Sequence, residues 1–161
     1  MGIFNKLHNN NKISDDDIII TKEFGEFKLN SCDGLSSCKG NIDWVGEKCE
    51  LIVFTKSEKK LAKLLNYLNK TIDDKEEWNI NICNFCAKKL TGLANDWQYE
   101  ADENAIEITK EAFAKNVKII SISIDEQKHI KIELDDKDYF GGHLILVDVD
   151  NNGNPISAEL G

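Results

Sequence analysis

Nine consecutive residues near the carboxyl end, Asp135-Asp136-Lys137-Asp138-Tyr139-Phe140-Gly141-Gly142-His143, hold three carboxylates, two aromatics and an imidazole. Carboxylates beside an imidazole can move protons or ligate a metal, so Asp136, Asp138 and His143 are candidates for a small metal-dependent enzyme or metal-binding protein. The same residue types also build a turn. Asp side chains accept local backbone N–H groups, Tyr139 or Phe140 covers the core, and Gly141-Gly142 permits unusual dihedrals. No Ser or Cys nucleophile pattern and no Gly-rich phosphate loop accompanies the cluster. The turn is therefore preferred, and no residue is assigned a catalytic role.

A second candidate follows at once. Asp148-x-Asp150-x-Asn152-Gly153, with Glu159 at the twelfth position, satisfies the calcium-loop pattern of oxygen ligands around an obligate glycine. The flanks argue against it, because the preceding LILV is strand-like and only Leu160 and Gly161 follow Glu159, too few for the exit helix that aims the bidentate carboxylate. Asn151-Asn152-Gly153 between two strands reads instead as a turn, since these residues tolerate positive φ. Cys83-Asn-Phe-Cys86 has redox or zinc-half-site spacing. A reactive pair needs a helix amino terminus to lower a thiol pKa, and this pair falls well inside a predicted helix, where both read as small core side chains. Cys32, Cys38 and Cys49 could add zinc ligands, but no second close pair or neighbouring His completes a recognised framework. His8 and His129 stand alone.

The elements that must position these residues follow from periodicity. Residues 1–17 mix Asn, Lys and Asp without a sustained pattern and read as a flexible amino-terminal arm. From Ile18 the chain is rich in β-branched and aromatic residues: IIITKEFGEFKL, NIDWV, a turn at Gly46-Glu47, and KCELIVF. Thr55-Lys-Ser-Glu58 forms a capping box, after which Leu61, Leu64, Leu65, Leu68 and Ile72 share one helical face. Asp73-Asp-Lys-Glu76 opens a second helix with a stripe of Trp78, Ile82, Phe85, Cys86, Leu90, Leu93 and Trp97, the two tryptophans capping it. Thr109 caps a short third helix through Phe113. Then VKIISISI, HIKIEL, HLILVDV and ISAEL alternate between polar turns, which predicts a four-strand meander. Strands, helices, then strands indicate an α+β domain over residues 18–161, with two to three helices packed on a mostly antiparallel sheet.

Composition narrows the classes. The chain has 161 residues, 41% hydrophobic and 30% charged, a size and mixture that suit one folded domain. Twenty Lys and Arg against 29 Asp and Glu leave a net charge of −9, and no basic patch offsets it, so a nucleic-acid partner is not expected. The first ten residues, MGIFNKLHNN, hold no apolar stretch of signal-peptide length. No apolar run approaches the ~18 residues a membrane span requires. Five cysteines are an odd count, which fits a reducing cytoplasm better than a disulfide framework.

The carboxyl-terminal segment resembles a family of short uncharacterised bacterial proteins, a domain of unknown function. Their pattern reads approximately Asp-Asp-Gly-Asp-x-Phe-Trp-Gly-His-x-Ile-x-Val, then Gly, then Ala-x-Ile-Gly. The matching residues are Asp135, Asp136, Asp138, Phe140, Gly142, His143, Ile145, Val147, Gly153, Ala158 and Gly161. Lys137 stands where the pattern has Gly, and Gly141 where it has Trp. The likeness extends more loosely through Gly25, Phe27, Trp44, Gly46 and the helices. It implies an intracellular single-domain protein, of the kind bacteria keep beside toxins as immunity or interaction proteins, and supplies no activity. The expectation is a non-catalytic acidic module without a cofactor that binds a protein, such as a basic toxin. Asp135, Asp136, Asp138, Tyr139, Phe140 and His143 are its contact residues, the aspartates at a surface turn steering a cationic partner and Tyr139 anchoring it.

Overall fold

A computed structural model describes residues 18–21, 24–33, 37–55 and 57–161; the expected arm at 1–17 lies outside them. Eight strands hydrogen-bond in chain order: β1 (Ile18–Thr21), β2 (Gly25–Asp33), β3 (Ser37–Trp44), β4 (Glu47–Phe54), β5 (Lys118–Asp125), β6 (Ile130–Asp135), β7 (Leu144–Val149) and β8 (Pro155–Leu160). Every neighbouring pair is antiparallel except β4 and β5, which are parallel. Parallel neighbours need a crossover. Here α1 (Glu58–Thr71), α2 (Lys75–Ala101) and α3 (Lys110–Asn116) supply it. The α+β class and the carboxyl-terminal meander are as the alternation predicts.

Cross-strand register explains where the core sits. Leu51, Ile122, Ile132, Val147 and Ala158 stand opposite one another across β4 to β8. All but the half-buried Ala158 are fully buried, and Leu61, Leu65, Leu68, Ile72, Ile82 and Cys86 join them in one hydrophobic cluster. Period-two side chains thus give one face to the helices, while Ser123, Lys131 and Asp148 take the other.

Local signals placed the helices to within a residue or two. Thr55 is not the first cap. Helix α1 starts at Glu58 with Ser57 as N-cap, its hydroxyl accepting from the Lys60 N–H at 3.4 Å. Thr55, 3% exposed, donates its hydroxyl to Glu126 at 2.9 Å and accepts from the Ser57 N–H at 3.2 Å. The Thr55 oxygen is thus turned to Ser57, ahead of the helix, and Ser57 takes the cap. The second helix is capped by Asp74, which accepts from the Glu77 N–H at 2.9 Å, one residue later than Asp73. Thr109 caps α3 as expected, accepting from the Ala112 N–H at 3.1 Å. The β3–β4 hairpin turns one residue early, on Val45 (φ 50°) and Gly46 (φ 79°), because two positive-φ residues close a two-residue loop.

The α2 stripe is rotated from its prediction. Trp78, Ile82, Cys86 and Leu90 are buried with Cys83, Ala87, Thr91 and Ala94, whereas Leu93 and Trp97 are 39% and 38% exposed and Phe85 is half-buried. The small residues at 83, 87, 91 and 94 form a second buried flank of α2. Short side chains let neighbouring chain approach closely, and α3 packs against α2.

Candidate functional site

The loop between β6 and β7 is built around one carboxylate. Asp136 is only 2% exposed, and its oxygens accept the N–H of Asp138 at 3.0 Å and of Phe140 at 2.7 Å. Its carbonyl accepts the Tyr139 N–H at 3.2 Å. A carboxylate leaves water at high cost unless such charge-assisted bonds replace its hydration. The expectation that Asp136 faces a partner is therefore corrected: replacing it tests folding, not contact. Asp135 makes a smaller version of the same turn, accepting the Lys137 N–H at 2.8 Å. Lys137 (φ 52°), Asp138 (φ 62°), Gly141 (φ 66°) and Gly142 (φ 84°) all adopt left-handed backbone, so the chain reverses tightly around the buried oxygen atoms.

That reversal drives the aromatics inward. Phe140 is fully buried, with its ring centroid 6.2 Å from Phe113 and 5.6 Å from Trp97, both edge-on. Tyr139 stacks on Phe113 at 5.0 Å and 11°, and its hydroxyl accepts from the Asn116 amide at 2.7 Å. Tyr139 is half-buried rather than the free anchor expected, because the turn brings it against α3. His143 is exposed; its Nδ1 lies 3.0 Å from the Gly161 carbonyl, an oxygen that only accepts, so Nδ1 carries the hydrogen. The Trp97 ring meets the imidazole edge-on at 5.9 Å. Asp135, Asp138 and His143 thus line the outside of a turn whose inner members are Asp136, Tyr139 and Phe140. Among the described residues, no three His, Cys, Asp or Glu side chains form a metal-sized group.

The calcium-like segment is the β7–β8 hairpin. Asp150 accepts the N–H of Asn152 at 2.8 Å and of Asn154 at 2.9 Å, and its carbonyl accepts the Gly153 N–H at 3.0 Å. These donors, the Asn154 N–H foremost, hold its carboxyl below the ordinary aspartate range. Asp148 accepts the Ser157 hydroxyl at 2.9 Å, and Glu159 lies in β8 opposite Leu146. The Asp148 and Asp150 oxygens are spent on closing and bracing the turn. Trp78 Nε1 donates to the Gly153 carbonyl at 2.7 Å, pinning the hairpin to the start of α2.

Cys83 and Cys86 are buried, and burial pushes their thiols up to about 11 and about 12. Such thiols stay protonated at neutral pH, the opposite of a redox pair. The β2–β3 register sets Cys32 directly across from Cys38, a relation that their separation along the chain did not reveal.

One concave feature had no sequence signal. A groove of about 500 Å³ lies between the β3–β4 hairpin, α2, α3 and the start of β5, lined among others by Trp44, Ile80, Ala114 and Val117. Glu47 and Lys118 pair at its rim, and that lysine lowers the Glu47 carboxyl pKa. Its lining comes from segments far apart in the chain, which no local pattern connects.

No helix among the described residues is long and apolar enough to cross a membrane. No curated protein and no solved structure is significantly similar to the chain. Residues 21–160 match DUF2262, described as an uncharacterised protein conserved in bacteria, and the chain belongs to that family.

Proposed function

We propose that this bacterial protein is a non-catalytic binding module for a cationic protein, with an immunity-type protein that covers a basic toxin as the concrete case. The observation that carries this reading is the use of Asp136. The carboxylate best placed by sequence for proton or metal chemistry has an oxygen on each of two N–H donors and is sealed beneath the turn. The net charge of −9 supports a basic partner, since complementary charge speeds encounter and rejects wrong partners.

The test begins with the tagged protein and a lysate of the bacterium that encodes it, followed by stopped-flow association with the purified partner. Association slows as salt rises, by about tenfold or more across the range that collapses the Debye length from ~30 to ~3 Å. Turnover of a small substrate by the purified protein, lost on His143→Ala, would replace this reading with an enzymatic one.

A further inference from the structure

The connection from α2 to α3 is fastened by side chains, not by helix or sheet. Asn95 pairs with the backbone of Ile108 twice: its amide donates to the Ile108 carbonyl at 3.0 Å and its oxygen accepts the Ile108 N–H at 2.7 Å. One helical turn further on, Gln98 donates to the Ile106 carbonyl at 2.7 Å. Asp102 closes the start of the loop, accepting the Asn104 N–H on its side chain and the Ala105 N–H on its carbonyl, both at 3.0 Å. Ile108 packs against the core. Ile106, two residues before it, is 87% exposed, the most exposed of the large hydrophobic side chains in the described residues. A loop held this firmly by two α2 amides presents that isoleucine outward in one place.

Its surroundings are acidic. Between residues 95 and 111 the carboxylates are Asp96, Glu100, Asp102, Glu103, Glu107 and Glu111, all exposed, against the single cation Lys110. None of the six forms an ion pair among the described residues. Tyr99 is 41% exposed and follows Asn95 by four positions, so it stands about 40° from it on the loop's side of the helix.

We infer that the α2–α3 connection is the partner-binding face, with Ile106 as its apolar anchor, and Tyr99 and six exposed carboxylates that form no ion pair on the same stretch of chain. This rests on the protein-binding reading and names the surface that performs it. The occupant is a basic protein surface with an apolar recess for one β-branched side chain. Charge complementarity selects it: a second copy would bring the same six carboxylates against each other, and like charges across an interface oppose binding. The arrangement is that of an interface hot spot, a large side chain prepositioned among charges that orient the approach.

The experiment uses a displayed library of a three-helix scaffold with one randomised face, selected against the whole folded protein. The expected binders carry Lys or Arg around a recess and weaken about tenfold or more on Ile106→Asp, as loss of a hot-spot residue does. Asn95→Ala with Gln98→Ala, which frees the loop but keeps Ile106, also weakens them, whereas Asp135→Lys with Asp138→Lys does not. Because Ile106 lies outside the core, Ile106→Asp leaves the melting temperature unchanged. Basic binders that ignore Ile106→Asp and fail with the Asp135/Asp138 variant would overturn the placement and keep the binding reading. A selection that yields no basic binder would overturn both. Self-association abolished by Ile106→Asp would make the occupant a second copy and overturn the choice of partner.

Discussion

At the scale of single residues, Lys137 carries a Cβ where the backbone favours glycine. Lys137 holds φ 52° beside the buried Asp136, a left-handed conformation that costs an L-residue with a Cβ roughly 1–2 kcal/mol. The resembling family pattern has Gly there. Lys137→Gly is expected to stabilise the protein by about 1 kcal/mol, the gain offset in part by the glycine's extra freedom when unfolded. The salt bridge it removes, Lys137 to Asp135 at 3.7 Å, is solvent-exposed on both sides and contributes little. Urea denaturation checks this, and a lower midpoint for the variant would show that the lysine is held by more than this turn.

At the scale of elements, the β7–β8 hairpin is tied to the helical layer at its tip, where the Tyr67 hydroxyl of α1 also donates to the Asn151 carbonyl at 3.2 Å. Gly153 holds φ 85°, and a Cβ there would sit 2.9 Å from the Thr71 carbonyl oxygen at the end of α1. The Trp78 indole reaches the Gly153 carbonyl through that space. Gly153→Ala meets both a left-handed backbone and a backbone clash, so its expected cost is about 2–3 kcal/mol. Gly141→Ala, equally left-handed but with open space around its Cβ, is expected to cost about half as much. Thermal melts of the two variants separate close approach from backbone conformation, and equal losses would leave conformation as the whole cause.

At the scale of the molecule, the core carries its thiols as neutral groups. Burial pushes Cys49, Cys83 and Cys86 to about 12, 11 and 12, against ~8.5 in the unfolded chain. Folded pKa values above unfolded ones mean that the native state keeps protons the unfolded state releases. That share of stability is whole below pH ~8.5 and is lost as pH rises toward 11 and 12. The denaturation midpoint should fall across that window, and fall less steeply in the Cys49→Ala, Cys83→Ala, Cys86→Ala triple variant. Rapid alkylation of Cys83 or Cys86 in the folded protein at neutral pH would contradict the burial.

What the sequence determined by itself is what local physics controls. Alternation set the meander, the Leu61-to-Ile72 spacing set a helix face, and Thr109 set a cap, because each depends on neighbours within one turn or one strand. The turn reading of Asp150-Asn151-Asn152-Gly153 held for the same reason, since Asp150 is satisfied by Asn152 and Asn154. Tertiary structure decided everything that depends on which element packs against which. The parallel join of β4 to β5 required three helices to cross between them. Asp136 was sealed because Phe140 meets Phe113 and Trp97, residues 27 and 43 positions away in the chain. Trp97 and Leu93 were left half-exposed because the buried face of α2 turned toward its small residues. Ile106 became a surface anchor only because Asn95 and Gln98 reach back to hold its loop, and those bonds leave no periodic trace: an amide side chain that bonds a distant backbone looks, along the sequence, like any other polar residue on a helix.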